Sequence, residues 1–458
     1  MTLEQIDRYD AKQSSTRGQR AVVVGGSMAG LCAARVLRDW FETVVIVERD
    51  EFPTAPERRD GAPQTSQPHG MLEAGRVTLN DLFPGFDDDV RAAGGLKLDM
   101  TADLRWYNKG GVVADADEAL PALYASRPLF EHIVRERVRG FDDVALRGGC
   151  SVFDYAHDAD EERVTGVRFR DEDGDEATLA ADLVVDATGR TSRTPAWLGD
   201  HGYPVPDTSE VTVDVTYSTV RIERPPAARR GVLVAPEPHR PRGVAMLPIE
   251  GNQWEVVLQG MHGERAPGDR ETFIEWADAM PVDEIARQLR SQQWQSDCHQ
   301  YPFPASVWTH YERLGRFPDG LVVTGDAIAS FNPIYGQGMS VAALDALVLH
   351  HELADGLRGL GPRFFRRASD VVDEAWKLAV GNDFIFEETT GDKPFGTDVF
   401  NRYVTRLLRR AHDDGVLTRE FFRVFRLEQS VTSLLHPAVV WRVVRPRLGA
   451  AGASASEA

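Results

Sequence analysis

Cysteine is scarce in this chain of 458 residues, which contains only Cys32, Cys150 and Cys298. No two of them form a CxxC pair or another spacing typical of metal ligands, so we predict no metal site. An odd and sparse cysteine count favours a reducing compartment over a disulfide-stabilised secreted fold. We therefore expect a cytoplasmic protein.

Long apolar runs and an excess of positive charge are also missing. No segment approaches the roughly 18 consecutive apolar residues of a membrane-spanning helix, and the polar N-terminus lacks the apolar stretch of a signal peptide. The net charge is −19 and the pI is near 5.1. Because such an acidic surface repels phosphate groups, we expect neither nucleic acid nor a membrane among the partners.

What is present near the N-terminus is a strand–turn–helix–strand pattern. The short apolar runs Ala21–Val24 and Thr43–Val47 are typical of buried parallel strands. Leu31–Trp40 has the spacing of an amphipathic helix. This order indicates a βαβ unit that binds a dinucleotide. The turn after the first strand consists of Gly25, Gly26, Ser27, Met28, Ala29 and Gly30.

Dinucleotide chemistry accounts for the residues of this turn. Gly25 permits a sharp bend, and Gly30 lets the helix pack closely on the strand. The positive end of the helix dipole then meets the pyrophosphate. Glu48, 18 positions after Gly30, is predicted to bind a ribose hydroxyl. Ser27 replaces the usual second glycine, and a tight turn in another α/β protein is the alternative interpretation.

A second motif lies far along the chain. The apolar strand Leu321–Thr324 leads into Gly325 and Asp326, whose carboxylate can accept hydrogen bonds from ribitol hydroxyls. In the next segment, Phe331–Met339, glycines allow a close backbone approach, and a helix is expected to begin near Gly338. Free N–H groups there would stabilise a negatively charged reduced flavin. The alternative is an ordinary strand–loop–helix with a capping aspartate.

A third segment joins the apolar strand Leu183–Val185 to a turn that contains Asp186 and Gly189. By itself it is equally compatible with a plain strand end. The order and spacing of the three segments resemble those of the group A flavoprotein monooxygenases, the family of para-hydroxybenzoate hydroxylase and squalene epoxidase. The resemblance spans roughly residues 20–360.

Two segments resemble those of particular subgroups within this family. The run from Arg59 to Gln64, with His69 after it, looks like a segment of actinobacterial family members. Phe331–Met339 looks most like the corresponding segment of bacterial polyether and polyene epoxidases. One departure is Thr188, which stands where the family often has an aspartate linked to flavin and NADPH binding.

The resemblance implies the roles of individual residues. Arg127 is expected to reach the FAD pyrophosphate and Arg59 to lie near the flavin and its phosphates, and a solvated surface arginine is the alternative for each. The implied cofactor-binding residues are Gly25, Gly26, Ser27, Met28, Ala29, Gly30, Glu48, Arg49, Arg59, Arg127, Asp186, Gly189, Gly325, Asp326, Gly338 and Met339. The residues implied to position the reaction beside the flavin, with no nucleophile among them, are Pro333, Gly336, Gln337 and Gly338.

The resemblance also implies a reaction. NAD(P)H, as a transient co-substrate, reduces FAD, and O2 then forms a C4a-hydroperoxyflavin that passes one oxygen atom to an electron-rich carbon. We predict epoxidation of alkenes in a large apolar polyketide or terpenoid intermediate, by a monomer or homodimer. An aromatic hydroxylase and a flavin-dependent isoprenoid reductase of the same fold are the alternatives. Flavin halogenases carry a W-x-W-x-I-P signature, in which two tryptophans are two positions apart. No two tryptophans of this chain have that spacing, so a flavin halogenase is disfavoured.

These patterns predict an α/β fold with three parts: a Rossmann-type FAD-binding domain, a β-sheet substrate domain and a C-terminal helical region. The sheet domain is expected from the strand-like residues 211–260, and its pocket lining from that sheet and from Trp106–Tyr107. The predicted divisions are 18–100, 125–200 and 315–360 for the FAD-binding domain, 101–124 and 201–314 for the substrate domain, 361–445 for the helical region, and 1–17 and 446–458 for flexible tails.

Overall fold

The computed structural model of the protein describes residues 1–59 and 61–446, and at positions 63 and 64 only the backbone. Apart from Pro446, the flexible tail predicted for 446–458 lies outside the described residues. Within the described part of the chain, no helix is long and apolar enough to cross a membrane.

The strands of the described residues are short, apart from one long strand in the middle of the chain. They are β1 Gly18–Val24, β2 Phe41–Val47, β3 Pro68–Met71, β4 Leu96–Asp99, β5 Leu104–Asn108, β6 Gly111–Val112, β7 Pro121–Ser126, β8 Val144–Arg147, β9 Ser151–Asp158, β10 Arg163–Arg170, β11 Glu176–Ala180, β12 Leu183–Asp186, β13 Thr208–Glu223, β14 Gly231–Val234, β15 Arg242–Ile249, β16 Gln253–Gly260, β17 His299–Thr309, β18 Leu321–Val323, β19 Ala329–Ser330 and β20 Thr390–Gly391.

The helices are concentrated in the first and last thirds of the described chain. They are α1 Met28–Leu37, α2 Glu73–Leu82, α3 Phe86–Ala92, α4 Arg127–Arg139, α5 Thr194–Asp200, α6 Arg270–Asp278, α7 Glu284–Ser291, α8 Gly338–Leu353, α9 Leu360–Asp383, α10 Thr397–Ala411, α11 Gly415–Phe425 and α12 Pro437–Val444.

A five-stranded parallel sheet, in the order β18-β12-β1-β2-β8, forms the centre of the nucleotide-binding part. Its apolar strands are buried on both faces, as expected for a parallel sheet covered by helices. The register pairs Val24 with Asp186, and Asp186 with Val323. The carboxyl ends of β1, β12 and β18 therefore lie side by side at one edge, and the predicted Rossmann-type α/β fold is confirmed.

A second, nine-stranded sheet contains the strand-like residues predicted between 211 and 260. Its order is β19-β17-β13-β16-β15-β14-β5-β6, and β20 pairs with β13. On one face, Phe273 of α6 and Ile285 of α7 are buried in a cluster with Trp254 of β16. The strands β5 and β6 come from the predicted segment 101–124, whereas β7 pairs with β3 and β4 in a separate three-stranded sheet. The domain boundaries themselves remain a prediction.

The C-terminal helices cover the edge of this second sheet at β5. The ring centroid of Trp106 lies 5.7 Å from that of Phe421 and 5.3 Å from that of Phe422, both on α11. Leu407 and Leu408 of α10 are buried in the same cluster. The helical pattern predicted after residue 361 is therefore observed, and these helices share a second hydrophobic core with residues of β4, β5 and β7.

One expectation from the sequence needs correction. The first helix begins at Met28, not at Leu31, because Ser27 has extended backbone angles and precedes the first helical turn. Further along the chain, α6 and α7 are separate helices, since Pro281 between them has no N–H to continue the first one.

The predicted flexible leader, residues 1–17, is packed against the body of the protein. Thr2 and Ile6 are buried. The backbone N–H of Leu3 donates to the carbonyl of Leu427 over 3.0 Å, and Arg35 of α1 donates to the hydroxyl of Tyr9 over 2.7 Å. Although the composition of the segment is polar, its few apolar residues, such as Ile6, are buried and hold it against the rest of the protein.

We expect Ile6→Ala to lower the free energy of unfolding by about 2–5 kcal/mol, because it leaves a cavity under the docked leader. Chemical denaturation measures this change. The control is Lys12→Ala, since Lys12 is exposed. Equal stability of the two variants would show that the leader is not docked.

Candidate cofactor site and active site

Three turns that are distant in sequence meet at the carboxyl edge of the parallel sheet. A Cβ built on Gly325 would lie 2.7 Å from the Cβ of Ala29, which belongs to the glycine turn. A Cβ built on Gly189 would lie 3.8 Å from the Cβ of Asp326, and one on Gly338 would lie 3.9 Å from the Oδ1 of Asp326. The three predicted motifs therefore form one site.

The glycine turn is as tight as the motif predicts. Gly25 has φ of 106°, and a Cβ there would lie 2.5 Å from the carbonyl oxygen of Ala187. A Cβ on Gly30 would lie only 1.9 Å from the carbonyl oxygen of Gly25. The first N–H groups of α1 have no partner within the helix, and the Ser27 side chain caps none of them. They provide donors for an anion at the positive end of the helix.

Arg127, the first residue of α4, supplies positive charge next to this turn. Its Nη2 donates to the Ser27 hydroxyl over 3.1 Å, while its Nε is buried and has no hydrogen-bond partner among the described residues. Burial lowers the pKa of Arg127, because the charged form has lost its solvation. An anionic ligand would neutralise the charge of Arg127 and accept a hydrogen bond from its Nε. This arrangement is compatible with the predicted contact to the pyrophosphate.

Asp326 presents its carboxylate to the same cleft. The residue is exposed on the cleft side, but protein encloses it elsewhere. This desolvation raises the pKa of Asp326, whereas the positive charges of Arg127 and Arg190 act to lower it. The preceding residue, Gly325, is held by α8, since its N–H donates to Asp345 over 3.2 Å. Burial raises the pKa of Asp345 to about 7.

Glu48 and Arg59 lie beside the glycine turn, within a buried ionic cluster. Glu48 accepts a hydrogen bond from the N–H of Gly26 over 2.7 Å and lies 3.1 Å from Arg59. Arg59 also donates to Glu131 of α4 over 2.9 Å. The same Glu131 accepts a hydrogen bond from the Ser27 hydroxyl over 2.7 Å. The cluster therefore fixes the position of the turn, and Glu131 is a participant that no sequence motif indicated.

Two predicted cofactor residues have other contacts. Both carboxylate oxygens of Asp186 accept hydrogen bonds from Thr188, Ser192 and Thr194, so this residue shapes the turn from inside. A cofactor role for Asp186 remains a prediction. Arg49 is exposed and donates to the carbonyl of Gly61 over 3.1 Å. A cofactor role for Arg49 remains a prediction.

The segment Phe331–Met339 connects the cleft to the interior. Pro333–Tyr335 is a single 3₁₀ turn, Gly336 has φ of 64°, and α8 begins at Gly338 as predicted. Gln337 is buried, and its Nε2 donates to the carbonyl of Phe425 in α11 over 3.1 Å. Gln337 therefore anchors the turn to a C-terminal helix. Met339 is buried as well.

An apolar pocket adjoins this turn, since Ile334 and Tyr335 line it. Its cavity volume is about 110 Å³. Trp106 lines it as predicted, whereas Tyr107 faces the other side of the sheet, because neighbouring strand residues point in opposite directions. The C-terminal helices supply much of the lining, which the sequence analysis missed. Representative lining residues are Leu233, Ile334, Tyr335, Leu378, Phe400 and Phe425.

The histidine of the predicted actinobacterial-type segment, His69, is held by a contact within its own segment. The Nδ1 of His69 lies 2.6 Å from the carbonyl oxygen of Gln67. Burial and the charge of Arg127 lower the pKa of His69 to about 3, so the ring is neutral at physiological pH. Within residues 1–59 and 61–446, no group of three or more His, Cys, Asp or Glu side chains could hold a metal ion.

Comparison with known proteins agrees with this geometry. Residues 126–364 match the family described as FAD binding domain. Protein Rv3254 of Mycobacterium tuberculosis is 32% identical to this chain over 450 residues, which cover 93% of this chain and 94% of that protein. The chain belongs to this family of FAD-binding proteins.

Solved structures share the fold. PqsL of Pseudomonas aeruginosa, described as a probable FAD-dependent monooxygenase, matches with a TM-score of 0.60 at 21% identity, over 81% of this chain and 98% of that chain. The p-nitrophenol 4-monooxygenase PnpA of Pseudomonas putida matches with a TM-score of 0.63 at 15% identity, over 91% and 100%. The observed site fits FAD, because its glycine turn, free arginine donor and cleft-facing aspartate suit a pyrophosphate and a ribitol.

We expect Gly30→Ala to reduce the FAD content of the purified protein, because the added methyl group would collide with the Gly25 carbonyl. Absorbance near 450 nm relative to 280 nm measures the bound flavin. The matched control is Gly315→Ala, since a Cβ at Gly315 would meet no atom within 4 Å. Full flavin content in Gly30→Ala would contradict the assigned turn.

We expect Asp326→Ala to bind FAD about 10–100-fold more weakly, the loss of a hydrogen bond to a charged group being worth about 1.5–3 kcal/mol. Titration of the apoprotein with FAD, followed by flavin fluorescence, gives the dissociation constant. Asp200→Ala, which changes an exposed aspartate, serves as the control. An unchanged constant in Asp326→Ala would remove this residue from the cofactor site.

Proposed function

We propose that the protein is an FAD-dependent monooxygenase that uses NAD(P)H and O2 to insert one oxygen atom into a large apolar substrate. One observation carries this proposal: the segment Phe331–Met339 borders both the FAD cleft and the apolar pocket. Gly338 lies beside Asp326 in the cleft, while Ile334 and Tyr335 line the pocket. A substrate in the pocket would thus lie next to the flavin.

Bound FAD, once reduced by NAD(P)H, would supply the oxygen chemistry, and the residues of the chain would supply binding and positioning. The turn at Gly25–Gly30 and Arg127 would hold the pyrophosphate, and Asp326 would hold the ribitol. The N-terminus of α8 at Gly338 would stabilise negative charge on the reduced ring system. Pro333, in the turn that precedes α8, would be one of the residues that position the ring system.

Exclusion of water is the other requirement, because a reactive oxygen species next to a flavin is lost by reaction with water. The aromatic and aliphatic residues of the pocket would help to keep water away from the reacting groups. Trp106 packs against Phe421, Phe422 and Phe425 at ring distances of 5.3–6.4 Å. No catalytic nucleophile is needed from the protein in such a reaction.

For the type of oxygen insertion we propose epoxidation of alkenes in a polyketide or terpenoid intermediate. The similarity of Phe331–Met339 to polyether and polyene epoxidases supports this choice, and so does the apolar lining of the pocket. Hydroxylation of an aromatic ring is the second candidate. It is favoured by the polar side chains of Tyr335 and Asp383 in the pocket wall.

We expect the FAD-loaded protein to oxidise NAD(P)H in a substrate-dependent manner and to add one oxygen atom to the product. A panel of apolar polyenes and phenols, with oxygen uptake and product mass as readouts, tests this. An 18O2 atmosphere should raise the product mass by the isotope difference. A product that gains two hydrogens with no oxygen uptake would establish the isoprenoid reductase alternative instead.

A further inference from the structure

Asp383, the last residue of α9, carries a carboxylate oxygen that the protein leaves unpaired. Its Oδ1 accepts hydrogen bonds from the hydroxyl of Tyr335 over 2.8 Å and from the Nδ2 of Asn332 over 3.1 Å. Its Oδ2 is buried and has no hydrogen-bond partner among the described residues. The residue is only 1% exposed, and it lies in the wall of the apolar pocket.

An unpaired buried carboxylate oxygen is unfavourable. Leaving a buried polar group without its partner costs about 1–3 kcal/mol, and more when the group is charged. The negative end of the α9 dipole adds to this cost. Burial raises the pKa of Asp383 to about 7, while its two hydrogen-bond donors oppose the rise. A ligand in the pocket that carries a hydrogen-bond donor would remove this penalty.

The position of Asp383 is fixed relative to the flavin-facing turn. Asn332, which precedes Pro333, donates to Asp383 and accepts a hydrogen bond from the Tyr217 hydroxyl over 2.7 Å. Its backbone N–H donates to the hydroxyl of Ser306 over 3.1 Å. A ligand whose hydrogen-bond donor is bound by Asp383 would therefore have its carbon skeleton at a defined distance from the turn.

The rest of the nearby pocket wall adds little competing polarity. Asn382 is engaged, since its Nδ2 donates to the Tyr335 hydroxyl over 3.0 Å. Asn401 donates to the carbonyl of Gly381 over 2.7 Å. The surrounding side chains Ile334, Leu378 and Phe386 are apolar. The free acceptor of Asp383 thus lies among apolar side chains in this part of the wall, an arrangement that orients a mostly apolar ligand. Elsewhere in the lining, the Nε1 of Trp106 and the Oδ1 of Asn108 are also without a partner among the described residues.

We propose that Asp383 is a positioning residue for the substrate: its Oδ2 accepts a hydrogen bond from a hydroxyl group on an otherwise apolar molecule. The substrate class is therefore a hydroxylated apolar compound, not a plain hydrocarbon. This inference rests on the proposed function for the identity of the pocket, and it adds the group by which the substrate is oriented.

The test is a binding measurement on the FAD-loaded protein with two probes that differ in one donor, 2-naphthol and 2-methoxynaphthalene. Quenching of tryptophan fluorescence reports binding, because Trp106 lines the pocket. We expect 2-naphthol to bind about 10–100-fold more tightly, the range for a hydrogen bond to a charged group. In Asp383→Asn, which places an N–H donor at the free position, this preference should disappear.

Two controls separate positioning from general damage. Asp392→Asn changes an exposed aspartate in the segment after α9 and should keep the full preference. In Tyr335→Phe the partner of Oδ1 is lost but Oδ2 is untouched, so the preference for 2-naphthol should persist. A merely structural role for Asp383 would instead weaken both probes equally.

Equal affinity of the two probes for the wild-type protein would overturn the proposal, even if no Asp383 variant folds. An undiminished preference in folded Asp383→Asn would overturn it as well. Because binding requires no oxygen transfer, failure of the monooxygenase assay would leave this result intact, and the two proposals can fail separately.

Discussion

The close packing of α1 on β1 is the constraint on which the rest of the site depends. At Gly30 the helix approaches the carbonyl of Gly25 so closely that even one methyl group would collide with it. This packing directs the positive end of the helix toward the edge where β1, β12 and β18 end together. Arg127 and Asp326 can then contribute opposite charges to one cleft, suited to the two chemically different halves of FAD.

Burial of charge in this region serves position more than stability. Arg59 is bound between Glu48 and Glu131, and Glu131 also reaches Ser27. Ion pairs as deeply buried as these gain little net free energy, because desolvation offsets the Coulomb attraction. Their effect is to hold the end of β2, the start of α4 and the glycine turn in one geometry. A cofactor-binding edge needs such rigidity more than it needs extra stability.

The segment Phe331–Met339 couples this edge to the C-terminal helices. Gln337 ties it to α11, while Asn332 and Tyr335 tie it to Asp383 at the end of α9. The helices that line the pocket therefore also determine where this segment lies. In the proposed enzyme, substrate enclosure and cofactor placement would share one set of contacts, although the residues involved lie more than 40 positions apart in the chain.

The nucleotide-binding fold can be inferred from local sequence, because glycines required by steric limits and buried parallel strands leave signals at Gly25–Gly30 and Leu321–Thr324. The same local patterns located Asp326 and the start of α8. Three other features became visible only in the folded chain: Asp186 is turned inward, residues 1–17 are docked, and α9 to α11 contribute to the pocket. Those features depend on which partner a side chain meets across a long stretch of chain, and neither periodicity nor composition carries that information. The free oxygen of Asp383 is also a feature that sequence patterns do not reveal. An oxygen atom can be recognised as unpaired only when all the atoms around it are known.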